Sequence, residues 1–320
     1  MRDAEATLPA CLESLRVQTF GDFEVLAVDD GSRDASAAVL ARAVAADPRV
    51  RVIAGGGGLV AALNAAASLA RGALLARMDA DDLALPARLA RQVEVMDAEP
   101  AVDVLGCRVA LFDDGASSNA GMRGYVEWSN TLLSHEAIAA DMLVESPLAH
   151  PSVMMRAAAL RGLGGYRAFD GPEDYDLWLR ALHAGCRFAK VPEVLLQWRD
   201  TAARLSRTDP RYAAGRFLDL KIASFLRAAS GAGVVVWGAG PLGKAWAREL
   251  AARGRAVRAF VEVDPRKIGQ TIHGAPVVPV AVAGSYGGDV HLAAVGRPDA
   301  RRRIRAAAAA LGIARLVAVA

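Results

Sequence analysis

Residues 73–82 read Ala-Leu-Leu-Ala-Arg-Met-Asp-Ala-Asp-Asp, and this stretch indicates an α/β fold. Its first four residues form a short, uncharged apolar run, which is typical of a buried strand. Asp79, Asp81 and Asp82 are then expected at the carboxyl edge of a sheet, where open α/β folds bind their ligands. Three anions this close repel one another unless a cation lies among them. The stretch therefore predicts a Mg²⁺ or Mn²⁺ site, with a solvated acidic turn ahead of a helix as the alternative.

Two other acidic stretches follow the same layout. Residues 23–34, Phe-Glu-Val-Leu-Ala-Val-Asp-Asp-Gly-Ser-Arg-Asp, give a strand-like run, two acids, a glycine turn and the start of a helical segment. Residues 171–178, Gly-Pro-Glu-Asp-Tyr-Asp-Leu-Trp, place Glu173 and Asp174 ahead of an apolar helix. Both of these acids would also serve as N-terminal caps, so capping stays the alternative for the last stretch.

Taken together and in this order, the three acidic stretches resemble the inverting family 2 glycosyltransferases with a GT-A fold. The resemblance covers residues 1–208 and includes Ala149–Met154, a segment common in that family. It implies that the first domain, residues 1–208, is a Rossmann-like nucleotide-sugar transferase domain. The stretches that carry the resemblance are Val28–Ser32, Ala76–Asp82 and Pro172–Arg180.

The resemblance implies roles for three of the acids. Asp79 would contact the nucleotide ribose or the metal, Asp81 would bind the metal, and Asp174 would be the general base. These roles fit sugar transfer from a nucleoside diphosphate, because a divalent cation takes up the charge of the leaving diphosphate. One carboxylate base then suffices, in contrast to the two carboxylates of glycosidases.

The nucleotide is expected to contact residues from two other parts of the first domain. By the same resemblance, Asp30 would contact the nucleotide base, and Asp29 beside it is a further donor-binding candidate. Asn64 follows the glycine-rich segment Gly55–Gly58, and the resemblance places both near the nucleotide. This segment lacks the Lys-Ser/Thr ending of a phosphate-binding loop, so a connection between a strand and a helix is the simpler interpretation.

One departure from the family concerns a cation near the diphosphate. Many relatives have a histidine near residues 197–201 that touches the metal or the diphosphate, and this chain has none there. Arg204 and Arg207 could replace its charge, and Arg204 is the donor-binding candidate, with surface solvation as the alternative for both. His150 and Glu173 are candidates for the acceptor site, and a structural role is the alternative for His150.

A second departure concerns the beginning of the chain. Residues 2–8, Arg-Asp-Ala-Glu-Ala-Thr-Leu, resemble the loop and helix that follow the first strand of the family. That strand is central in the family's sheet, so we expect unpaired backbone groups on its neighbours here. The expectation is that Met1 is either a misassigned start or the edge of a fragment.

Composition limits the other functions that the chain can have. The 320 residues suffice for two domains, and 53% of them are hydrophobic. The net charge of +3 is mixed along the chain, which argues against nucleic-acid binding. Three widely spaced cysteines, Cys11, Cys107 and Cys186, favour a reduced, cytoplasmic protein. No segment has the pattern of a membrane span, while peripheral association with a membrane and oligomerisation stay open.

The pattern of strand and helix restarts in the last third of the chain. A helical linker is predicted for residues 209–230, followed by a second domain over residues 231–320. The strand at residues 233–237 leads into Gly238, Gly240 and Gly243, which have Gly-x-Gly-x-x-Gly spacing ahead of a helix. Such glycines permit a tight turn and close approach of a phosphate, and Glu262 after the next strand could accept a ribose hydroxyl.

This second domain resembles the small Rossmann-like nucleotide-binding domain that precedes some sugar acyltransferases. The likeness is carried by Gly238–Gly240, Phe260–Gly269 and Gly274–Val277. It implies a βαβ domain that binds a nucleotide. A structural or dimerising appendage is the alternative of equal weight.

The sequence therefore predicts a metal-dependent inverting glycosyltransferase. The expected donor is a nucleotide sugar, with UDP expected from the family, and the expected acceptor is a hydroxyl of a glycan or of a lipid-linked molecule. One alternative is an NAD-linked oxidoreductase that acts through the second domain, although no catalytic His, Lys or Tyr set is recognisable there. The other alternative is an inactive module that binds nucleotide sugars.

Overall fold

The structure is a computed structural model that describes residues 1–112, 120–202, 204–229 and 231–319. It contains two compact units. The first consists of Met1–Ala139 and Pro147–Ala213, and the second of Ala140–Ser146 and Ala214–Ala320. The sequence-based ranges 209–230 and 231–320 end at Ser230 and Ala320, which lie outside the described residues.

Two sheets form the centre of the first unit. One is a two-stranded parallel sheet of β1 and β2, and the other has five strands in the order β3-β6-β5-β7-β4. The two long strands β5 and β7 run parallel in the middle of the larger sheet and carry most of its buried apolar side chains. The strands are β1 Val25–Asp29, β2 Val50–Ala54, β3 Leu74–Ala76, β4 Leu83–Ala84, β5 Val102–Phe112, β6 Met154–Arg156 and β7 Arg187–Arg199.

Helices connect these strands, as expected for an α/β unit. The first turn of α8 contains Glu173 and Asp174, and its apolar residues Leu177 and Trp178 are fully buried. The helices are α1 Leu8–Arg16, α2 Ser36–Ala46, α3 Gly58–Leu69, α4 Arg88–Ala98, α5 Ala120–Thr131, α6 His135–Asp141, α7 Ala157–Gly162, α8 Glu173–His183 and α9 Leu205–Thr208. Short 3₁₀ turns cover His150–Ser152 and Pro210–Tyr212.

The smaller sheet of the first unit is separate from the larger one. On one side, β1 pairs with β2 in parallel along all five of its residues. On its other side, the Met1 nitrogen donates to the Val28 carbonyl at 2.7 Å, and the Asp30 amide donates to the Met1 carbonyl at 2.8 Å. Met1 therefore contacts β1 through its backbone, as one residue of a parallel strand would.

The second unit is a six-stranded sheet in the order β10-β11-β9-β8-β12-β13. All neighbouring pairs are parallel except β10 with β11. The central strand β8 is buried at every position, as parallel sheets covered on both faces require. Its strands are β8 Val234–Trp237, β9 Val257–Glu262, β10 Thr271–Ile272, β11 Ala275–Pro279, β12 Val290–Ala293 and β13 Leu316–Ala318. Its helices are α10 Ala214–Ala228, α11 Pro241–Ala252 and α12 Pro298–Ala310, with a 3₁₀ segment over Val280–Tyr286.

Segment Ala140–Ser146 belongs to the second unit although it lies within the sequence of the first. The buried Lys221 on α10 donates to the Val144 carbonyl at 2.7 Å, and Arg305 on α12 donates to the Asp141 carboxylate at 2.5 Å. The range predicted as a helical linker therefore contains α10, which groups with the second unit and helps to hold this segment.

Candidate active site

The turn between β3 and β4 brings three carboxylates together. One oxygen from each of Asp79, Asp81 and Asp82 lies within 4.8 Å of the others. The last residue of β7, Arg199, holds this turn: its amide donates to Asp82 Oδ1 at 2.8 Å and its Nε donates to the Asp81 carbonyl at 2.8 Å. The turn is thus fixed by the backbone and side chain of a neighbouring strand.

The three carboxylates differ in their protonation. Burial, followed by the charge of Asp79, raises the pKa of Asp82 to about 8, and the same two causes raise the pKa of Asp81. Burial also opposes ionisation of Asp79, but the Arg77 guanidinium outweighs it and holds the pKa of Asp79 below its ordinary value. Asp82 Oδ2 is buried without a hydrogen-bond partner among the described residues. Such a set of hard oxygen atoms fits a divalent cation, which would relieve both the repulsion and the unpaired oxygen.

Arg77 lies directly before this turn. Its side chain is 12% exposed, and its Nη2 lies 2.6 Å from Asp79 Oδ1. Its backbone is held on both sides, because its amide donates to the Val153 carbonyl at 2.8 Å and its carbonyl accepts from Arg88 Nη2 at 2.7 Å. None of the sequence motifs assigns a role to Arg77, although an arginine between a strand and an acidic turn is a signal that identifies it.

Arg204 is a second arginine whose charge acts on the aspartate turn. Its guanidinium stacks over the Trp198 ring at 4.1 Å, and its Nη1 lies 3.8 Å from Asp200 Oδ1. The charge of Arg204 acts on all three aspartates and favours their ionised forms. The structure therefore places this predicted donor-binding residue beside the predicted metal ligands.

The first turn of α8 presents the predicted base and its neighbour. Asp174 Oδ1 accepts a hydrogen bond from the Tyr175 amide at 2.7 Å. Burial, followed by the charge of Glu173, raises the pKa of Asp174 to about 8. Glu173 itself is 3% exposed, and its Oε2 accepts a hydrogen bond from the Tyr212 hydroxyl at 2.6 Å. Glu173 is thus held in place, while Asp174 has the pKa of a group that can take up a proton near neutral pH.

His150 lies beside this pair of acids. Its Nε2 is 2.8 Å from the Tyr166 hydroxyl, and its Nδ1 is 3.9 Å from Glu173 Oε1. Burial, followed by the charge of Arg77, holds the pKa of His150 well below its ordinary value, so the ring is neutral at pH 7. His150 is buried and contacts Tyr166. This environment fits a structural role as well as it fits a place in the acceptor site.

Asn64 supports the same region from α3. Its Nδ2 donates to the Tyr166 carbonyl at 2.8 Å, and its Oδ1 accepts from the Tyr166 amide at 2.9 Å. Both ends of the amide are therefore bound to the backbone of the residue that contacts His150. Asn64 therefore positions this loop, a role that its predicted place near the nucleotide does not include.

Asp29 and Asp30 lie at the end of β1 and shape the loops around it. Asp29 Oδ1 accepts from the amide of Ser32 at 3.0 Å and from its hydroxyl at 2.6 Å. Asp30 Oδ1 accepts from the amides of Gly57 and Gly58 at 3.1 and 3.2 Å, at the beginning of α3. Each aspartate thus has one oxygen engaged in these hydrogen bonds.

In the second unit, two of the three predicted glycines are required by packing. A Cβ on Gly243 would lie 2.0 Å from the Gly238 carbonyl, and Gly238 has φ +103° with the Ala294 carbonyl 3.0 Å from its would-be Cβ. A Cβ on Gly240 would meet nothing within 4 Å. Only Gly240 among these three therefore lacks a packing reason to be glycine.

Glu262 is engaged by the same unit. Its Oε2 accepts from the Ala239 amide at 3.0 Å and from Lys267 Nζ at 3.2 Å, and its Oε1 accepts from the amides of Val263 and Asp264 at 2.9 and 3.3 Å. These four hydrogen bonds use the four acceptor positions of a carboxylate. This arrangement favours a structural role for Glu262 over contact with a ribose.

Comparisons of sequence and structure relate this chain to known proteins. Residues 1–164 match the sequence profile described as Glycosyl transferase family 2. The chain is 31% identical over 217 residues to the protein EpsE of Bacillus subtilis (strain 168), covering 66% of this chain and 74% of EpsE. It is 32% identical over 200 residues to the amylovoran biosynthesis glycosyltransferase AmsE of Erwinia amylovora, covering 62% of this chain and 72% of AmsE.

Solved structures support the fold of the larger part of the chain. The structure resembles that of S. aureus TarS 1-349 in complex with UDP-GlcNAc, with a TM-score of 0.55 and 17% sequence identity. The likeness covers 71% of this chain and 64% of the TarS chain, which is just under two thirds of the latter. It shows a shared fold. In the part of the chain that the structure describes, no helix has the length and apolar character needed to cross a membrane.

Proposed function

The chain belongs to glycosyl transferase family 2 and is a glycosyltransferase, and from this premise we propose that it is a metal-dependent, inverting enzyme that uses a nucleoside diphosphate sugar. The observation that carries the proposal is the mostly buried Arg77, which pairs with Asp79 at 2.6 Å and whose charge also acts on Asp174. The charge of Arg77 acts on the aspartate turn through Asp79 and on the candidate base Asp174. In an inverting transfer, the leaving diphosphate needs the metal-binding acids on one side of the transferred sugar. The attacking hydroxyl needs the base on the opposite side.

The aspartate turn is proposed as the metal site. Asp79 and Asp81 would be the ligands, and Asp82 would complete the acidic group while its other oxygen holds the Arg199 amide. A divalent cation would supply charge neutralisation for the departing diphosphate. Arg204, whose charge reaches these aspartates, would add a fixed positive charge on the same side. Mg²⁺ and Mn²⁺ both suit carboxylate ligands, and we propose that either can act here.

Asp174 is proposed as the general base. Its carboxylate would accept the proton of the acceptor hydroxyl while that oxygen forms the new bond to the anomeric carbon and the bond to the diphosphate breaks. A pKa near 8 makes the ionised form a stronger base than an ordinary aspartate. A single displacement of this kind inverts the configuration at the anomeric carbon, and no covalent nucleophile is needed.

The proposed donor is a UDP-sugar, and the proposed acceptor is a hydroxyl of a glycan or of a lipid-linked molecule. Two neighbours support this class of substrate: TarS is described in complex with UDP-GlcNAc, and AmsE is named for amylovoran biosynthesis. Neither name identifies the sugar or the acceptor of this chain. A role in polysaccharide biosynthesis follows as part of the same proposal.

A donor-hydrolysis and binding assay tests the proposal. The purified protein is incubated with UDP-N-acetylglucosamine, UDP-glucose, UDP-galactose and GDP-mannose, with Mg²⁺, with Mn²⁺ or with EDTA. Release of UDP or GDP that requires the metal is the expected result, and Asp81→Asn should reduce it strongly. Binding without turnover by any donor or acceptor would favour the inactive module, and binding of NAD alone would favour the oxidoreductase. Full activity in EDTA would contradict the metal mechanism.

A further inference from the structure

Arg77 has more hydrogen-bond donors than the protein uses. A guanidinium carries five N–H groups. Its Nη2 pairs with Asp79, but Nε and Nη1 are buried and have no hydrogen-bond partner among the described residues. A buried donor without a partner has lost its hydrogen bond to water, which is unfavourable, so proteins rarely keep one unless a ligand engages it. This makes the free side of Arg77 a binding surface.

The position of Arg77 limits what can bind there. It precedes the aspartate turn, and its amide is bonded to Val153, which follows the turn containing His150. Its charge acts on Asp79, with which it pairs, and also on Asp174, His150 and Tyr166. In the transfer, the sugar must lie between the diphosphate at the aspartates and the acceptor oxygen at Asp174. A group between those two ends therefore faces the sugar.

The charge around Arg77 favours a neutral partner. Its positive charge is already paired with Asp79 at 2.6 Å, and further carboxylates of the aspartate turn lie close by. A carboxylate on the ligand would add an anion to this group without an unpaired cation to meet it. A hydroxyl can accept from the free N–H groups and donate to a neighbouring carboxylate, which satisfies both sides.

We propose that Arg77 is a specificity-determining residue that binds a hydroxyl group of the transferred sugar through its free Nε and Nη1 donors. The inference rests on the proposed function, because it assumes that a nucleotide sugar occupies this site. The sugar hydroxyl then accepts a hydrogen bond from Arg77 and donates one to Asp79. Together the two residues distinguish the nucleotide sugar from the nucleoside diphosphate alone.

Calorimetric binding measurements on the full chain test this inference. UDP-N-acetylglucosamine, UDP-glucose, UDP-glucuronic acid and GDP-mannose are each compared with UDP or GDP, in the presence of Mn²⁺, for the wild type and for Arg77→Lys. The variant should lose about tenfold or more in affinity for the sugar nucleotide that the wild type binds, as expected for a hydrogen bond from a charged donor. Its affinity for the matching nucleoside diphosphate should stay within about twofold. Arg71→Lys, at an exposed arginine paired with Glu24, is the matched control and should change neither affinity.

Donors that lack single sugar hydroxyls give a second measurement that does not depend on the folding of a variant. One such deoxy donor should bind the wild type about tenfold more weakly than its parent, and the same deletion should cost Arg77→Lys almost nothing, because the partner is already lost.

Four results would overturn the inference. Equal losses for sugar nucleotide and nucleoside diphosphate would show that Arg77 acts only through Asp79 on the metal site. No effect of any single hydroxyl on wild-type binding would remove the proposed contact. A wild-type preference for UDP-glucuronic acid that disappears in Arg77→Lys would show that the partner is a carboxylate. If the wild type binds no nucleotide or sugar nucleotide at all, the proposed function fails, and this inference fails with it.

Discussion

Asp174 shows how burial prepares a single side chain for proton transfer. An aspartate in water is almost fully ionised at pH 7 and is a weak base. Here the carboxyl group is removed from water and lies beside the ionisable Glu173, so its pKa rises to about 8. The helix N-terminus opposes this shift, because the Tyr175 amide donates to the carboxylate. The net result is a stronger base in the ionised form, at the cost of a smaller ionised fraction.

Substitution of the base should separate chemistry from binding. Asp174→Asn keeps the size of the side chain but cannot take up a proton, so kcat should fall by about 100-fold or more. Affinity for the donor should change little, since this residue acts on the acceptor hydroxyl. Steady-state kinetics and donor calorimetry check both parts. Glu173→Gln is the control, because its amide oxygen can still accept from Tyr212, and a loss as large as that of Asp174→Asn would contradict the assignment.

The pH dependence of transfer should follow the same group. The base acts only when ionised, and its pKa in the folded protein is raised to about 8. The rate at saturating substrate should therefore increase as pH rises from 6 and should level off above about 8. Because an unfolded aspartate ionises at lower pH, the same shift lowers folding stability as pH rises between these two pKa values. A flat rate profile between pH 6 and 8.5 would argue against Asp174 as the titrating base.

At this scale the sequence singles out the acids but not the groups that hold them in place. The spacing of Asp79 and Asp81 indicates a ligand edge, and the family resemblance implies the role of Asp174; both roles stay predictions. The structure groups Asp79 and Asp81 with Asp82 in one turn and places Asp174 in the first turn of α8. The sequence could not predict that Arg77 pairs with Asp79 and acts by its charge on Asp174, because that depends on the fold that brings Val153 beside Arg77. The role of Asn64 in holding Tyr166 was equally hidden, since 102 residues separate them.

Among the elements, β7 has the largest effect on the site. It runs parallel to β5 for most of its 13 residues, and its last residue, Arg199, reaches the aspartate turn. Apolar runs predicted several strands to within two residues, including β3 and β8, because short buried strands have a strong local signal. The pairing of β5 with β7 could not be predicted in the same way, since it joins segments more than 80 residues apart.

The glycine turn before α11 yields a contrast between two neighbouring positions. Gly243→Ala would force a Cβ to 2.0 Å from the Gly238 carbonyl and should destabilise the second unit by several kcal/mol. Gly240→Val places its Cβ in open space and should leave the stability of that unit unchanged. If this turn binds a nucleotide, Gly240→Val should also remove that binding. Thermal melts and calorimetry of the full chain with UDP, UDP-glucose and NAD check both. Unchanged nucleotide binding in Gly240→Val would favour the structural appendage.

On the scale of the whole molecule, each compact unit is built from two separate segments of the chain. The first unit contains the proposed transferase site, and residues 140–146 leave it to join the second unit before the chain returns at Pro147. The predicted domain order was a simple succession of residues 1–208 and 231–320. Local patterns could not reveal the excursion, because its partners on α10 and α12 lie up to 164 residues away.

Removal of the second unit should therefore affect more than that unit. In a chain ending at residue 213, segment 140–146 loses Lys221 and Arg305, and the buried Met142 loses its surroundings. Lower thermal stability than the full chain is expected, together with reduced transfer. As a control, the full chain with Arg305→Ala and Lys221→Met should keep most of its activity, since the apolar packing remains. Normal stability and transfer in the shortened chain would show that the excursion is dispensable.

The excursion at residues 140–146 also sets the order of events while the protein is being made. When these residues leave the ribosome, their hydrogen-bonding partners Lys221 and Arg305 have not been synthesised. Met142, Leu143 and Val144, all buried in the finished protein, must then stay exposed until translation reaches α12. At about 5–20 residues per second, this exposure lasts on the order of ten seconds or more. Newly made chains should therefore depend on chaperones that shield apolar segments, even though the finished protein keeps this segment covered.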